Sequence, residues 1–279
     1  MDEYGSELTF PLLDELARAA VRARVVPNEV LASRHIGRLG PLLELLLLDR
    51  DGSLPLSALP NCQTLTALSG ALSPVNTCRG VFETYDTSTI GFITTGRDTE
   101  TPDQNEELRW VAFRQKAQQA AELSLPKPIA QGLMGAMSEI EENIHLHSGR
   151  PDTGIVAFRG SAQEFEFVVA DSGIGMLASL KSSPIFANLD DAGRALHLAL
   201  QDGTSRLCHE QHRGYGFRNL FRYLASLNGE LRFRSDDQAV TIEGVGPELV
   251  KSTLRQKTPM QGFAASIVCR SLSNGKTNR

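Results

Sequence analysis

From Leu8 to Val26 the apolar positions Leu12, Leu13, Leu16, Ala20 and Val21 recur at helical spacing until Pro27 interrupts them. This predicts an amphipathic helix, and a second helix is expected to follow. Between Gly52 and Gly96 the texture turns to Ser, Thr, Pro and Gly with short β-rich runs. The runs Gly80–Tyr85 and Thr89–Thr94, separated by Asp86-Thr-Ser, predict a hairpin. Residues 97–105 are polar with no apolar anchor, which predicts a linker between an α+β N-terminal domain of unknown role, 1–96, and a second domain, 106–270. That second domain opens with helices over about Glu106–Leu123 and Pro128–Ser148. Thr153–Phe158 and Phe165–Ala170 read as antiparallel strands around the turn Arg159–Gln163. Phe217, Leu220, Phe221, Leu224 and Leu227 fall at helical spacing, and Glu230–Arg234, Ala239–Ile242 and Phe263–Val268 then read as strands. The expectation is an α/β (α+β) fold with helices over a mixed sheet and a disordered tail at 271–279.

Composition narrows the class. The 279 residues are about twice the ~150-residue domain prior, and 41% hydrophobic with 22% charged residues is enough for a real core. Lys plus Arg total 28 against 33 Asp plus Glu, giving −5, with the positive charges scattered along the chain. This argues against broad electrostatic capture of nucleic acid. The acidic start Met1–Glu7 lacks the basic and apolar segments of an export signal, and the apolar run Leu42–Leu48 is broken by Glu44. That run is also far shorter than the ~20 residues that span a bilayer. Cys62, Cys78, Cys208 and Cys269 are too few and too scattered for a disulfide scaffold. A soluble, cytoplasmic protein with reduced thiols and no membrane partner is expected.

Candidate chemistry begins in the helix around Glu139. Leu133, Met137, Ile140 and Ile144 form an apolar stripe, whereas Glu139, Asn143 and His147 repeat every four residues on another line. An amide oxygen is a hard ligand for Mg²⁺ and a carboxylate can orient water, although a plain solvated face would show the same spacing. Next, an apolar strand runs into Asp171-Ser-Gly173-Ile-Gly175-Met176, placing a carboxylate beside two residues that tolerate positive φ and close ligand approach. A strand-ending glycine turn is the simpler alternative. Third, Arg213-Gly214-Tyr-Gly216-Phe217 leads into the predicted Phe217–Leu227 helix, where backbone amides and the helix N-terminus favour an anion. No Walker loop occurs.

The order Glu139-x-x-x-Asn143-x-x-x-His147, Asp171-x-Gly-x-Gly, polar insert, Gly214-x-Gly-Phe resembles the GHKL ATPase superfamily of gyrase, chaperone, histidine-kinase and mismatch-repair ATP-binding domains. The resemblance spans roughly residues 106–270. It implies a two-layer α/β sandwich, with helices on one face of a mixed sheet and ATP with Mg²⁺ held between the layers. It further implies Asn143 as Mg²⁺ ligand, Glu139 as general base and Asp171 as the adenine-reading carboxylate, with His147, Gly173, Gly175 and Met176 around the nucleotide. Arg213, Gly214, Gly216 and Phe217 would lie at the phosphate-contacting end of a mobile lid, residues 176–213. One departure stands out: the family commonly carries Gly-Thr before its last strand, and here Gly262-Phe263 takes that place without the hydroxyl.

Two weaker signals are set aside. Cys208-His209-Glu-Gln-His212 offers zinc-type ligands without an evident fourth, in a segment that the resemblance assigns to the lid. His35, in Ser-Arg-His-Ile-Gly-Arg-Leu-Gly-Pro, differs in spacing from a histidine-kinase phosphoacceptor box and is followed by no acidic residue. Without a convincing acceptor, the expected function is a Mg-ATP-dependent conformational switch with slow hydrolysis. It would signal to a protein partner through the N-terminal domain or the lid, with a homodimer as one option for assembly. The alternatives are a protein kinase of histidine-kinase or anti-sigma-factor type, and an ATP-binding regulatory module without turnover.

Overall fold

The computed structural model describes residues 7–23, 30–31, 34–55, 81–85, 88–95, 104–200, 229–244 and 249–271. Helix α1 spans Phe10–Ala23 and α2 spans Leu39–Arg50. Strands β1, Val81–Tyr85, and β2, Ser88–Thr94, form the expected hairpin with Val81 opposite Phe92 and Tyr85 opposite Ser88. Then come α3, Gln104–Ala121, and α4, Lys127–His147, followed by β3, Ile155–Gly160, and β4, Glu164–Asp171. Two short helices follow, α5 at Gly175–Lys181 and α6 at Ala192–Ala199. Strands β5, Glu230–Gly244, and β6, Leu249–Arg270, complete the set.

The six strands among the described residues form one sheet in the order β1-β2-β3-β4-β6-β5, and every pairing between them is antiparallel. The expected mixed sheet is therefore corrected to an antiparallel one. The two expected strands at 230–234 and 239–242 are one bulged strand, β5, and β6 is far longer than the expected 263–268.

Because side chains alternate across a strand, the sheet has two apolar faces, and both are covered. Val156, Phe158, Phe165, Phe167, Val169, Ala265 and Ile267 join one core with Phe113 of α3 and Leu133, Met137, Ile140 and Ile144 of α4. Ile155, Ala157, Val168, Ala170 and Ala264 point the other way, into a core with Leu12, Leu13 and Leu16 of α1 and the leucines of α2. The layers are thus helix, sheet, helix. The two-layer expectation missed this because it treated residues 1–96 as a separate unit. In the described residues, β2 pairs with β3 from Thr89–Gly160 to Thr94–Ile155, so the sheet runs across the expected 97–105 linker. Val21, expected on the buried side of α1, is 58% exposed.

Helix α2 explains how its own leucine run folds. Leu39–Leu48 is wholly buried, and no side chain at its start caps it. The carboxylate of Glu166 on β4 does so from across the core, accepting the amides of Leu39 at 2.9 Å and Gly40 at 2.8 Å. Glu44, the charge inside the run, meets Arg232 at 2.8 Å and Arg234 at 2.9 Å on β5. No described helix is long and apolar enough to cross a membrane.

Candidate functional site

Helix α4 presents its two lines of residues as the spacing predicts. Leu133, Met137, Ile140 and Ile144 are buried, whereas Glu139 is exposed and Asn143 and His147 are half-buried. Burial, then the like charge of Glu142, pushes the Glu139 carboxyl above its ordinary range. One residue breaks the simple two-face picture: Glu141 is buried and meets the imidazole of His145 at 2.9 Å.

The C-terminal end of α4 is tied directly to the Asp171–Gly175 turn. The carbonyl of Ser148 accepts the amide of Ile174 at 2.8 Å. Thr153 Oγ1 accepts the amide of Ser172 at 3.0 Å and donates to the carbonyl of Arg150 at 2.7 Å. Asn143 lies five residues before Ser148, on the order of 7.5 Å along the helix axis, and Glu139 one turn further back. The helix and the turn that carry two of the three sequence-derived elements are therefore joined at Ser148 and Thr153. The third, with Arg213, Gly214, Gly216 and Phe217, lies outside the described residues, as do Cys208, His209 and His212. Of the expected lid, residues 176–200 are described, and they carry α5 and α6.

Asp171 ends β4 opposite Phe263 and is buried to 4% exposure. Its Oδ1 accepts the Gly173 amide at 2.7 Å. Burial raises its pKa to about 6, and that one backbone hydrogen bond only partly offsets the rise. Among the described residues it accepts no other hydrogen bond. The neighbouring Ser172 hydroxyl is buried with no hydrogen-bond partner among the described residues.

The glycines make the close packing of the turn possible. A Cβ on Gly173 would collide with the carbonyl of Ser148 and the carboxylate of Asp171, so the turn can lie against the end of α4 only without one. Gly262, at φ +85, passes so close to the Asp171 carbonyl that no side chain fits. Phe263, where the resemblance leads one to expect a hydroxyl, instead stacks on Phe233 with ring centroids 5.6 Å apart. A different hydroxyl is near: Ser235, the register partner of Phe263, accepts the Met176 amide at 2.9 Å and donates to the Gly262 carbonyl at 2.8 Å.

Sequence reasoning missed Ser148, Thr153, Ser235 and Asp236. Their only local signal is Ser235-Asp-Asp237, a polar break within an otherwise strand-like run. No protein-family model matches this chain, and no curated protein matches it significantly.

Proposed function

We propose that this chain binds Mg-ATP at the junction of α4 and the Asp171–Gly175 turn and works as a nucleotide-driven conformational switch. The observation that carries the reading is the pairing at that junction of a buried carboxylate, Asp171, that holds one hydrogen bond among the described residues with a buried hydroxyl, Ser172, that has no partner among them. An exocyclic amine, such as that of adenine, donates to such a carboxylate, and a second polar ligand atom or a water would satisfy the hydroxyl.

Asn143 and Glu139 supply oxygen donors on the helix that leads to this turn. The Asn143 oxygen would fit a cation that takes few protein ligands and completes its shell with phosphate oxygens and water. When bound, Mg²⁺ would neutralise phosphate charge and orient the terminal phosphate. In this reading Asn143 holds the cation, Glu139 accepts a proton from an attacking water, and Asp171 fixes the base. The Glu139 pKa, raised by burial and Glu142, moves in the direction that suits a general base. These roles are the ones that the resemblance to the GHKL superfamily implies, and the resemblance adds the expectation of a lid.

Purified full-length protein incubated with γ-labelled Mg-ATP tests this, following free phosphate and label on protein. Phosphate release is the expected result. Label on this chain or a co-purifying protein would instead favour the kinase, and bound, unchanged ATP the module without turnover.

A further inference from the structure

Among the described residues, Asp236 is the one non-glycine residue with positive φ, at 54°. It sits where the β5–β6 ladder breaks. The register runs Ser235 opposite Phe263, then jumps to Asp236 opposite Met260 and to Gln238 opposite Gln256. Bulges of this kind re-aim side chains, and a left-handed non-glycine residue persists only where its surroundings impose it. Here the surroundings are the start of α5. Ser235 Oγ accepts the Met176 amide at 2.9 Å, and Asp236 Oδ2 accepts the Leu177 amide at 3.3 Å. Ser235 is itself fully buried and lies 3.2 Å from the Asp236 carboxylate. Gly175, at φ +78, fits beneath the pair: a Cβ there would stand 3.0 Å from Asp236 Oδ1 and 3.1 Å from Ser235 Oγ.

These contacts give the turn two anchors on different elements. On one side Ser148 holds Ile174, and on the other the bulge holds Met176 and Leu177. We propose that Ser235 and Asp236 are positioning residues for the nucleotide site, clamping the first amides after Gly175 so that the Gly173–Gly175 turn is held in its binding geometry before ligand arrives. This rests on the Mg-ATP reading. It also explains why a strained carboxylate residue is placed far along the chain from every motif: the bulge turns its side chain toward α5, where a regular strand position would not.

The test uses the full chain and two substitutions at one position. Asp236→Gly suits positive φ but removes the acceptor, whereas Asp236→Asn tolerates the left-handed region and keeps an acceptor oxygen. Amide hydrogen exchange at Leu177, whose acceptor is Asp236, is read without nucleotide, and the Mg-ATP Kd by calorimetry. The expected result in Asp236→Gly is exchange at least about tenfold faster and Kd at least about tenfold weaker, with Asp236→Asn close to wild type in both. Unchanged exchange in Asp236→Gly overturns the clamp. Faster exchange with unchanged Kd overturns its role in the nucleotide site. If the wild-type protein takes up no Mg-ATP, it is the nucleotide reading that has failed, and the exchange contrast still decides whether the clamp exists.

Discussion

Two sets of buried charge, the ion cluster beneath α1 and α2 and the Asp171 carboxylate at the end of β4, are satisfied to different degrees. On the face covered by α1 and α2, Asp14 and Glu44 are matched by Arg232, Arg234 and Lys257, and Glu166 holds two backbone amides. Burial alone would push the Asp14 carboxyl up, but Arg232 and Lys257 hold it below its ordinary range. On the face covered by α3 and α4, Asp171 keeps one backbone hydrogen bond and the Ser172 hydroxyl none among the described residues. The ion cluster is read as scaffold, and the Asp171–Ser172 pair as the proposed nucleotide site.

The sharpest way to break this comparison is at the ion cluster. Arg232→Met removes the partner that Asp14 meets at 2.9 Å and Glu44 at 2.8 Å and leaves charge buried without full compensation. The loss should be about 3–5 kcal/mol in urea unfolding. A loss below about 1 kcal/mol would mean that the cluster is not part of the scaffold.

The two buried carboxylates of β4 come next. Folding raises the pKa of Asp171 to about 6 and of Glu166 to about 7, in each case chiefly through burial. The folded state therefore holds protons that the unfolded state has released. Stability should fall as pH rises from about 4 to 6 for Asp171 and from about 4.5 to 7 for Glu166, then level off. Asp171→Asn should flatten the lower window and Glu166→Gln the upper one, each by up to about 3 kcal/mol, in unfolding curves taken across the range. A slope unchanged in both variants would show that neither group titrates as its burial implies.

A smaller effect is expected at Gly262→Ala, about 2 kcal/mol or more, from the positive φ of +85 together with the clash against the Asp171 carbonyl. Denaturation that matches wild type would remove the close packing of the turn from the account. Smallest for stability is Glu139→Ala, within about 0.5 kcal/mol because the side chain is exposed. Its effect belongs to chemistry: phosphate release should drop by about 10²–10⁴ with Mg-ATP affinity kept within a few fold. Unchanged phosphate release would remove Glu139 from the general-base role.

The parts legible from sequence were those with a local period. The α4 stripe, the β1–β2 and β3–β4 hairpins and the Asp171 turn each declare themselves within a short local stretch of chain. The parts that were not legible depend on partners far along the chain. Helix α2 reads as an apolar run interrupted by a stray charge until Arg232 and Arg234, nearly two hundred residues later, answer Glu44. The three-layer arrangement was hidden for the same reason, since the pairing of β2 with β3 joins residues on either side of the polar stretch 97–105, and a polar stretch alone does not reveal such a pairing. Likewise, nothing near Asp236 announces that it reaches the start of α5.

The central claim is that Asp171 is left under-satisfied so that it can bind a nucleotide base. Calorimetric titration of Mg-ATP into wild type and Asp171→Asn, at pH 7.5 and with both proteins shown to be folded, tests it most directly. Wild type should bind, and the variant should bind roughly ten- to hundredfold more weakly, as for the loss of a buried charged hydrogen-bond partner. Equal affinity in the two proteins, or no uptake by wild type, would contradict the account.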